Sequence, residues 1–411
     1  MTVAVVGGGP AGLAAARELG RLGVRGVVVI EREREAGGIP RHAAHQGFGL
    51  RDLRSPLSGP AYARRLASLA VDAGAELLTE TMVTGWSPEG PLELTGPGGR
   101  SLLEPDAVIL ASGCRERPRP ARLVPGSRPA GVLTTGTLQQ LVYLKGERLG
   151  GRALVVGAEH VSFSALLTLT HGGVRPVGMT TQLARHQSLA AFRAGAALRF
   201  RTPLWTRTAV SAIHGSPRVE EVELTNLDSG RTRAVACETV VFTADWIPDN
   251  ELVVMGGLEL DPGTRGPVVD AALRSSRPGV FAAGNLLHGA EQADVAALGG
   301  RHAAASVARH LNGGSWPERR VPVHCRAPLA WVSPNALSTA PGPPPRGRFL
   351  VRSREFLTHP RVEIAQDGRP LWGGRLARLV PGRSGRLPDE WTARADPDGG
   401  PVTVFVGSAR G

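Results

Sequence analysis

Residues 2–31 read TVAVVGGGPAGLAAARELGRLGVRGVVVIE, and the fold turns on them. Residues 2–6 are a short β-branched apolar run of the kind that becomes a strand buried on both faces of a parallel sheet. The run leads directly into Gly7-Gly8-Gly9-Pro10-Ala11-Gly12, and residues 13–22 then follow a helical period. Val27–Ile30 is a second buried strand, and it ends at Glu31. In such a strand–turn–helix–strand unit Gly7 permits the tight turn, Gly9 lets a pyrophosphate approach the backbone, and Gly12 lets helix and strand pack closely. The helix N-terminus adds free N–H groups and a partial positive charge for the phosphates. Glu31, nineteen residues past Gly12, is spaced to accept hydrogen bonds from ribose hydroxyls, and its charge argues against a 2′-phosphate on that nucleotide.

The chain has 411 residues, 42% hydrophobic and 20% charged, with 54 Gly and 33 Pro. That is enough to bury a sizeable core in two or three domains joined by many tight turns. The formal charge of +12 on its face points to nucleic acid. However, Lys145 is the sole lysine and the arginines are scattered, so the charge reads as compositional bias and no nucleic-acid partner is expected. Cys114, Cys237 and Cys325 are far apart, without a CxxC or a His/Cys cluster at metal spacing. Neither a disulfide framework nor a metal site is expected, and a reducing cytoplasmic location fits best. No apolar stretch approaches the ~18 residues of a membrane span. The apolar first twenty residues lack the basic start of a signal peptide.

Two later segments extend the pattern. Residues 106–113 (DAVILASG) and 279–285 (GVFAAGN), together with the first turn and Gly37-Gly38, resemble the FAD-binding elements of the pyridine nucleotide-disulfide oxidoreductase superfamily, flavoproteins with two dinucleotide-binding domains. The resemblance is closer to FAD-containing subunits of hydrogen cyanide synthase, opine oxidase and hydroxyproline dehydrogenase, and to flavoproteins of glycerol-3-phosphate dehydrogenase-like operons. It is carried by residues 37–52 (GGIPRHAAHQGFGLRD), 57–66, 112–126 and 128–142. It implies an α/β protein with two Rossmann-like three-layer domains, the second inserted in the first. The FAD contacts it implies are Gly7, Gly9, Pro10, Ala11, Gly12, Glu31, Arg32, Gly38, Ile39, Val83, Ala111, Ser112, Gly113, Gly284, Asn285, Glu291 and Gln292. Asn285 replaces the family's ribityl-binding acid. The resemblance also implies that the helix opening near residue 290 points its N-terminus at the pyrimidine end of the flavin.

Members that reduce disulfides carry a cysteine pair beside the flavin, in several of them soon after the Gly-Gly. Here that place holds residues 39–46 (IPRHAAHQ), so thiol relay chemistry is not expected. In the closer group a cysteine often stands at the position of Ala43, and any role for that thiol is absent here or moved. His45 first and His42 second are the candidate catalytic residues, because an imidazole titrating near pH 6.5 suits proton transfer beside a flavin. The competing reading gives both a purely structural place around the cofactor.

A second strand–turn–helix begins at Arg152–Val156 and continues Gly157-Ala158-Glu159-His160-Val161-Ser162. The family's nicotinamide fingerprint has a glycine where Glu159 stands. A side chain and a negative charge there oppose a pyrophosphate. The next strand ends in Thr180-Thr181-Gln182, with no acid for a ribose. NAD(P)H binding by another route stays open.

The expected organisation is an FAD-binding domain at 1–117 and 265–315, an NAD(P)-binding-like domain at 118–264, and a linker plus small antiparallel β domain at 316–411. Residues 333–347 read as linker, Asp367-Gly368 as a hairpin turn. Residues 316–411 carry 15 arginines against 8 acids, an excess that fits docking to a protein partner. Three functions fit. The first is an FAD-dependent dehydrogenase or oxidase subunit that takes two electrons from a small amine, amino acid or alcohol-type substrate. It would pass them to a second flavoprotein, an iron–sulfur subunit or a quinone. The second is an NAD(P)H-dependent flavin oxidoreductase. The third is a non-catalytic FAD-containing electron-transfer or assembly subunit.

Overall fold

The computed structural model describes residues 1–88, 90–339 and 342–407. These fall into two compact units, one of residues 1–41, 46–114 and 248–411, the other of residues 42–45 and 115–247.

The first unit is built on a five-stranded sheet in the order Val280–Ala282, Ala107–Leu110, Val3–Val6, Val27–Ile30, Glu76–Leu78. Its strand pairs are parallel, with Val3 opposite both Val27 and Ala107. Val3–Val6 is buried at every position, which explains the unbroken apolar run: a central parallel strand has no wet face. Helices Pro10–Arg21, Gly59–Asp72 and Ala293–Leu311 flank this sheet. A meander of Met82–Trp86, Leu92–Gly96 and Gly99–Leu103 adds Val83, Leu92 and Leu94 to the same core. Residues 248–264 belong with this unit, although the sequence placed them in the insert. Their helix Glu251–Met255 is tied in by Trp86 Nε1, which donates to Leu252 O at 2.8 Å.

Residues 316–407 have a hydrophobic core of their own, centred on Phe349, Trp391, Val362 and Val404. Its strands are antiparallel except that Arg320–Cys325 runs parallel to Val402–Val406. Asp367 and Gly368 take φ of +49° and +78° between paired Gln366 and Arg369, the conformation a two-residue hairpin turn requires. Positions 340 and 341 of the expected linker lie outside the described residues; Ala336–Ser338 within it forms a strand. These strands join the first unit through polar contacts. Asn335 Oδ1 accepts from Val269 N at 2.8 Å, and Arg274 donates to Ser338 Oγ at 2.9 Å.

The second unit repeats the first theme. Its sheet runs Val132–Thr134, Thr239–Phe242, Arg152–Val156, Arg175–Thr180, Leu204–Trp205, with parallel pairs. Helix His160–His171 follows the glycine turn, and an antiparallel three-stranded sheet, Thr208–His214, Glu221–Asn226 and Thr232–Ala236, completes it.

Candidate cofactor and active site

The first glycine turn has the shape that its sequence demands. Gly7 sits at φ +107°, and a Cβ there would lie 2.5 Å from Ala111 O. A Cβ on Gly12 would lie 2.0 Å from Gly7 O, so helix and turn touch backbone to backbone. Gly9 differs: a Cβ there would meet nothing within 4 Å. The backbone at the N-terminus of helix 10–21 therefore faces open space. Pro10 opens that helix, no side chain caps it, and its first turn holds no acid. This is the environment a diphosphate needs, because the helix dipole and free N–H groups are unopposed.

Glu31 closes one end. It is buried, and its carboxylate accepts from Gly8 N at 3.0 Å and Glu33 N at 2.9 Å. Those bonds hold it at the edge of the turn, where a ribose would meet it. Arg32 is exposed and lies 3.9 Å from Glu33. Val83 is buried just beyond Thr81, whose N–H donates to Glu31 O at 3.0 Å. Gly38 approaches Gly9 so closely that a Cβ would lie 3.0 Å from Gly9 Cα, while Ile39 is exposed. Ala111 N donates to Val6 O at 2.8 Å, and Ser112 Oγ to Asp249 O at 2.9 Å. Gly113 O accepts from Asp249 N at 3.0 Å.

The far end gathers Gly284, Asn285, Glu291 and Gln292. A Cβ on Gly284 would lie 2.6 Å from that of Ala11, so this loop abuts the first turn. Asn285 Oδ1 accepts from Glu291 N at 2.9 Å and Nδ2 donates to Glu291 O at 3.3 Å. An acid in its place would lack that second donor. Glu291 turns its carboxylate to the C-terminal strands, to Ser384 Oγ and, at 3.6 Å, to Arg352. Gln292 accepts from Arg51, which also meets Asp294 at 2.9 Å.

The fit to FAD is good: an open diphosphate position, a ribose acid and a polar far end belong to one unit. His42 and His45 belong to the other unit. His42 is buried, with Nδ1 3.3 Å from Gln139 Oε1; His45 is half-buried.

The second glycine turn carries its own anion. Glu159 is 8% exposed. Its carboxylate accepts from Ala158 N at 3.0 Å, from Ser162 Oγ at 2.7 Å and from Thr243 Oγ1. With Ser162 Oγ accepting from Glu159 N at 3.2 Å, it forms a reciprocal cap on helix 160–171. Burial first, with the Glu159 charge among the smaller causes, pushes the nearby Glu116 carboxyl up to about 7. Glu116 still accepts from Gly136 N at 2.8 Å and Ala244 N at 3.2 Å. Sequence reasoning missed Glu116, Arg51 and Arg352, because each acts through a partner distant in the chain.

Paired dinucleotide folds, each opening on a strand, a glycine turn and a helix, place the chain in the class of two-domain flavin-dependent oxidoreductases; its self-capped second turn is a departure from that class's pattern. This chain belongs to the pyridine nucleotide-disulphide oxidoreductase family, whose model matches residues 1–300. It is 28% identical over 325 residues to a subunit of opine oxidase from Rhizobium meliloti, covering 71% of this chain and 60% of that relative. The chain thus spans about three fifths of that relative's length. It is 28% identical over 341 residues to hydrogen cyanide synthase subunit HcnB of Pseudomonas protegens, covering 74% of this chain and 69% of that one. The fold matches the crystal structure of T. acidophilum thioredoxin reductase with a TM-score of 0.63 at 22% identity, over 75% of this chain and 98% of that chain. Among the described residues no helix is long and apolar enough to cross a membrane.

Proposed function

We propose that this chain is an FAD-dependent dehydrogenase or oxidase subunit. It takes two electrons from a small amine, amino acid or alcohol-type substrate and passes them to a partner protein or quinone. The observation that carries this reading is the Glu159 carboxylate folded over the second glycine turn. It holds the N–H groups and hydroxyls that a nicotinamide nucleotide's diphosphate would need, which favours a substrate other than NAD(P)H as the electron source. The cysteines support the absence of a dithiol relay. The three stand far apart in the chain. Burial pushes the Cys237 thiol up to about 11 and Cys325 up to about 12, so neither supplies a thiolate at neutral pH. The relatives named as subunits of opine oxidase and hydrogen cyanide synthase support a partner.

When bound, FAD supplies a two-electron acceptor. In this reading the chain's residues hold and orient it: the turn at Gly9 takes the diphosphate, Glu31 the ribose, and the Asn285–Gln292 loop the far end. His45 first and His42 second are the candidates to take the proton that leaves substrate, and His42 Nδ1 lies 3.3 Å from Gln139 Oε1.

The test is anaerobic stopped-flow reduction of the FAD-loaded chain by a panel of amines, amino acids and polyols, with NADH and NADPH alongside. Bleaching by a panel member and not by either nucleotide is expected. Rapid bleaching by NADH or NADPH, or by nothing in the panel with the partner present, would overturn the reading. His45→Ala should slow substrate-driven reduction by about 10²–10⁴-fold, and a change below about threefold would leave His45 as structure.

A further inference from the structure

A cleft of about 530 Å³ opens among the three helices that flank the first sheet and the segment at residues 52–57, a size that accepts a small metabolite. Each helix contributes an arginine to its lining: Arg17 from Pro10–Arg21, Arg65 from Gly59–Asp72 and Arg301 from Ala293–Leu311. Leu53, Leu57 and Leu69 give it an apolar side. Arg65 is exposed, and Arg17 and Arg301 keep part of their surface in solvent, so the lining is within reach of a ligand. No residue of this lining belongs to the cofactor contacts described above.

The positive charge of the cleft is not neutralised within the fold. Among the described residues Arg17, Arg65 and Arg301 make no ion pair. Glu18, on the same helix as Arg17, is taken by Arg21 at 3.4 Å. Asp52 is the acid of the lining, and its carboxylate is turned to Tyr62, whose hydroxyl donates at 2.6 Å, and to Leu53 N at 2.9 Å. Arg301 bonds a neutral acceptor instead, its Nη2 donating to Asp52 O at 3.1 Å. The Arg17 guanidinium pKa is lowered by burial first and then by the charges of Arg301 and Arg21, with Arg65 a smaller cause. Cations that repel one another in one cleft are stabilised by a shared anion.

We infer that this cleft binds a small organic phosphate, with the phosphate among Arg17, Arg65 and Arg301 and the organic body on the leucine side. A phosphate monoester brings a charge of about −1.5 to −2 and several strong acceptor oxygens at neutral pH, where a carboxylate brings a single charge. Guanidinium forks match phosphate oxygens bidentately. The site stands apart from the proposed function, since it shares no residue with the cofactor contacts and its occupancy is read without turnover.

The FAD-loaded full chain is titrated calorimetrically with phenyl phosphate and with benzoate, which carries the same ring on a singly charged anion. Phenyl phosphate should bind at least about tenfold tighter than benzoate, the scale of one further charge-assisted hydrogen bond. Arg17→Gln with Arg65→Gln leaves the bond from Arg301 to Asp52 O in place. This pair should weaken phenyl phosphate binding by about tenfold or more at unchanged FAD content and unfolding temperature. Arg369→Gln with Arg375→Gln removes the same charge from exposed positions of a C-terminal hairpin. That control should stay within about twofold of the parent. If the first pair does not fold, Arg65→Gln alone, at an exposed side chain, should still weaken binding by about threefold or more. Equal binding of phosphate and benzoate would overturn the assignment, and so would equal losses in the two double variants, which would trace the attraction to the charge of the whole chain. Binding of neither would also overturn it and leave the cleft to an acidic segment of a partner chain. A flavin that no panel substrate reduces would sink the proposed function and leave this result untouched.

Discussion

The two glycine turns follow the same strand–turn–helix plan and do opposite things. Around Gly9 the helix N-terminus is bare and faces open space. Around Gly157 a Cβ would lie 1.9 Å from Thr243 Oγ1, with Ser162 and Glu159 oxygens within 2.9 Å. The first turn leaves its N–H groups and dipole for an incoming anion. The second satisfies them with a carboxylate of its own. Glu159 and Ser162, standing where the first turn has Gly9 and Gly12, together make the second turn a reciprocal cap on helix 160–171, and the fold around it survives because its helix start is satisfied.

The comparison can be broken most forcefully at Gly12. Gly12→Val puts side-chain carbons where Gly7 O already sits at 2.0 Å from the nearest one. FAD affinity should fall by about 10- to 10²-fold, since overpacking of this kind costs about 1–3 kcal/mol. The ratio of flavin to protein absorbance measures it.

The second turn should instead answer to pH. Glu116 titrates near 4.5 when unfolded and about 7 when folded, so the folded state holds the extra proton between those values. Stability is then greatest below pH 4.5 for this group and falls as pH rises towards 7, by on the order of 3 kcal/mol. Thermal unfolding across pH 5–8 should show this fall, and Glu116→Gln should flatten it. An unchanged slope would remove Glu116 from the account.

Glu159→Gly returns the second glycine of the fingerprint, with Ser162 still at the third position, and removes the side-chain cap. Stability should drop by a few tenths of a kcal/mol, on the order of 0.5, read as a slightly lower unfolding midpoint. Binding of NADH, read by its fluorescence, should appear or strengthen. Loss of stability with no gain in nucleotide binding would mean that more than Glu159 closes this turn.

The smallest effect is expected at Asn285→Asp. It restores the family's acid but loses the donor to Glu291 O, so FAD affinity should weaken by no more than about fivefold, about the net worth of one hydrogen bond.

The first turn was legible in the sequence because its physics is local: three glycines, a strand and a spaced acid lie within thirty residues. The obstruction at Glu159 was legible for the same reason. Its burial was not, since it depends on Thr243, 84 positions away. Likewise nothing in the spacing of Arg17, Arg65 and Arg301 announced a shared cleft. The excess charge of residues 316–411 read as docking to a protein partner, and the pairing of Arg352 with the 289–291 loop depends on strands that close long-range contacts.

The close packing of helix 293–311 on the first turn also has a consequence in time. A Cβ on Gly300 would lie 1.9 Å from Ala11 O, and Gly284 presses on the same residue. The N-terminal turn is therefore completed only by residues that leave the ribosome about three hundred positions later, a delay on the order of tens of seconds at ordinary synthesis rates. Until then the strand and helix of residues 3–21 lack one wall, so cofactor capture is a late event in the life of the nascent chain.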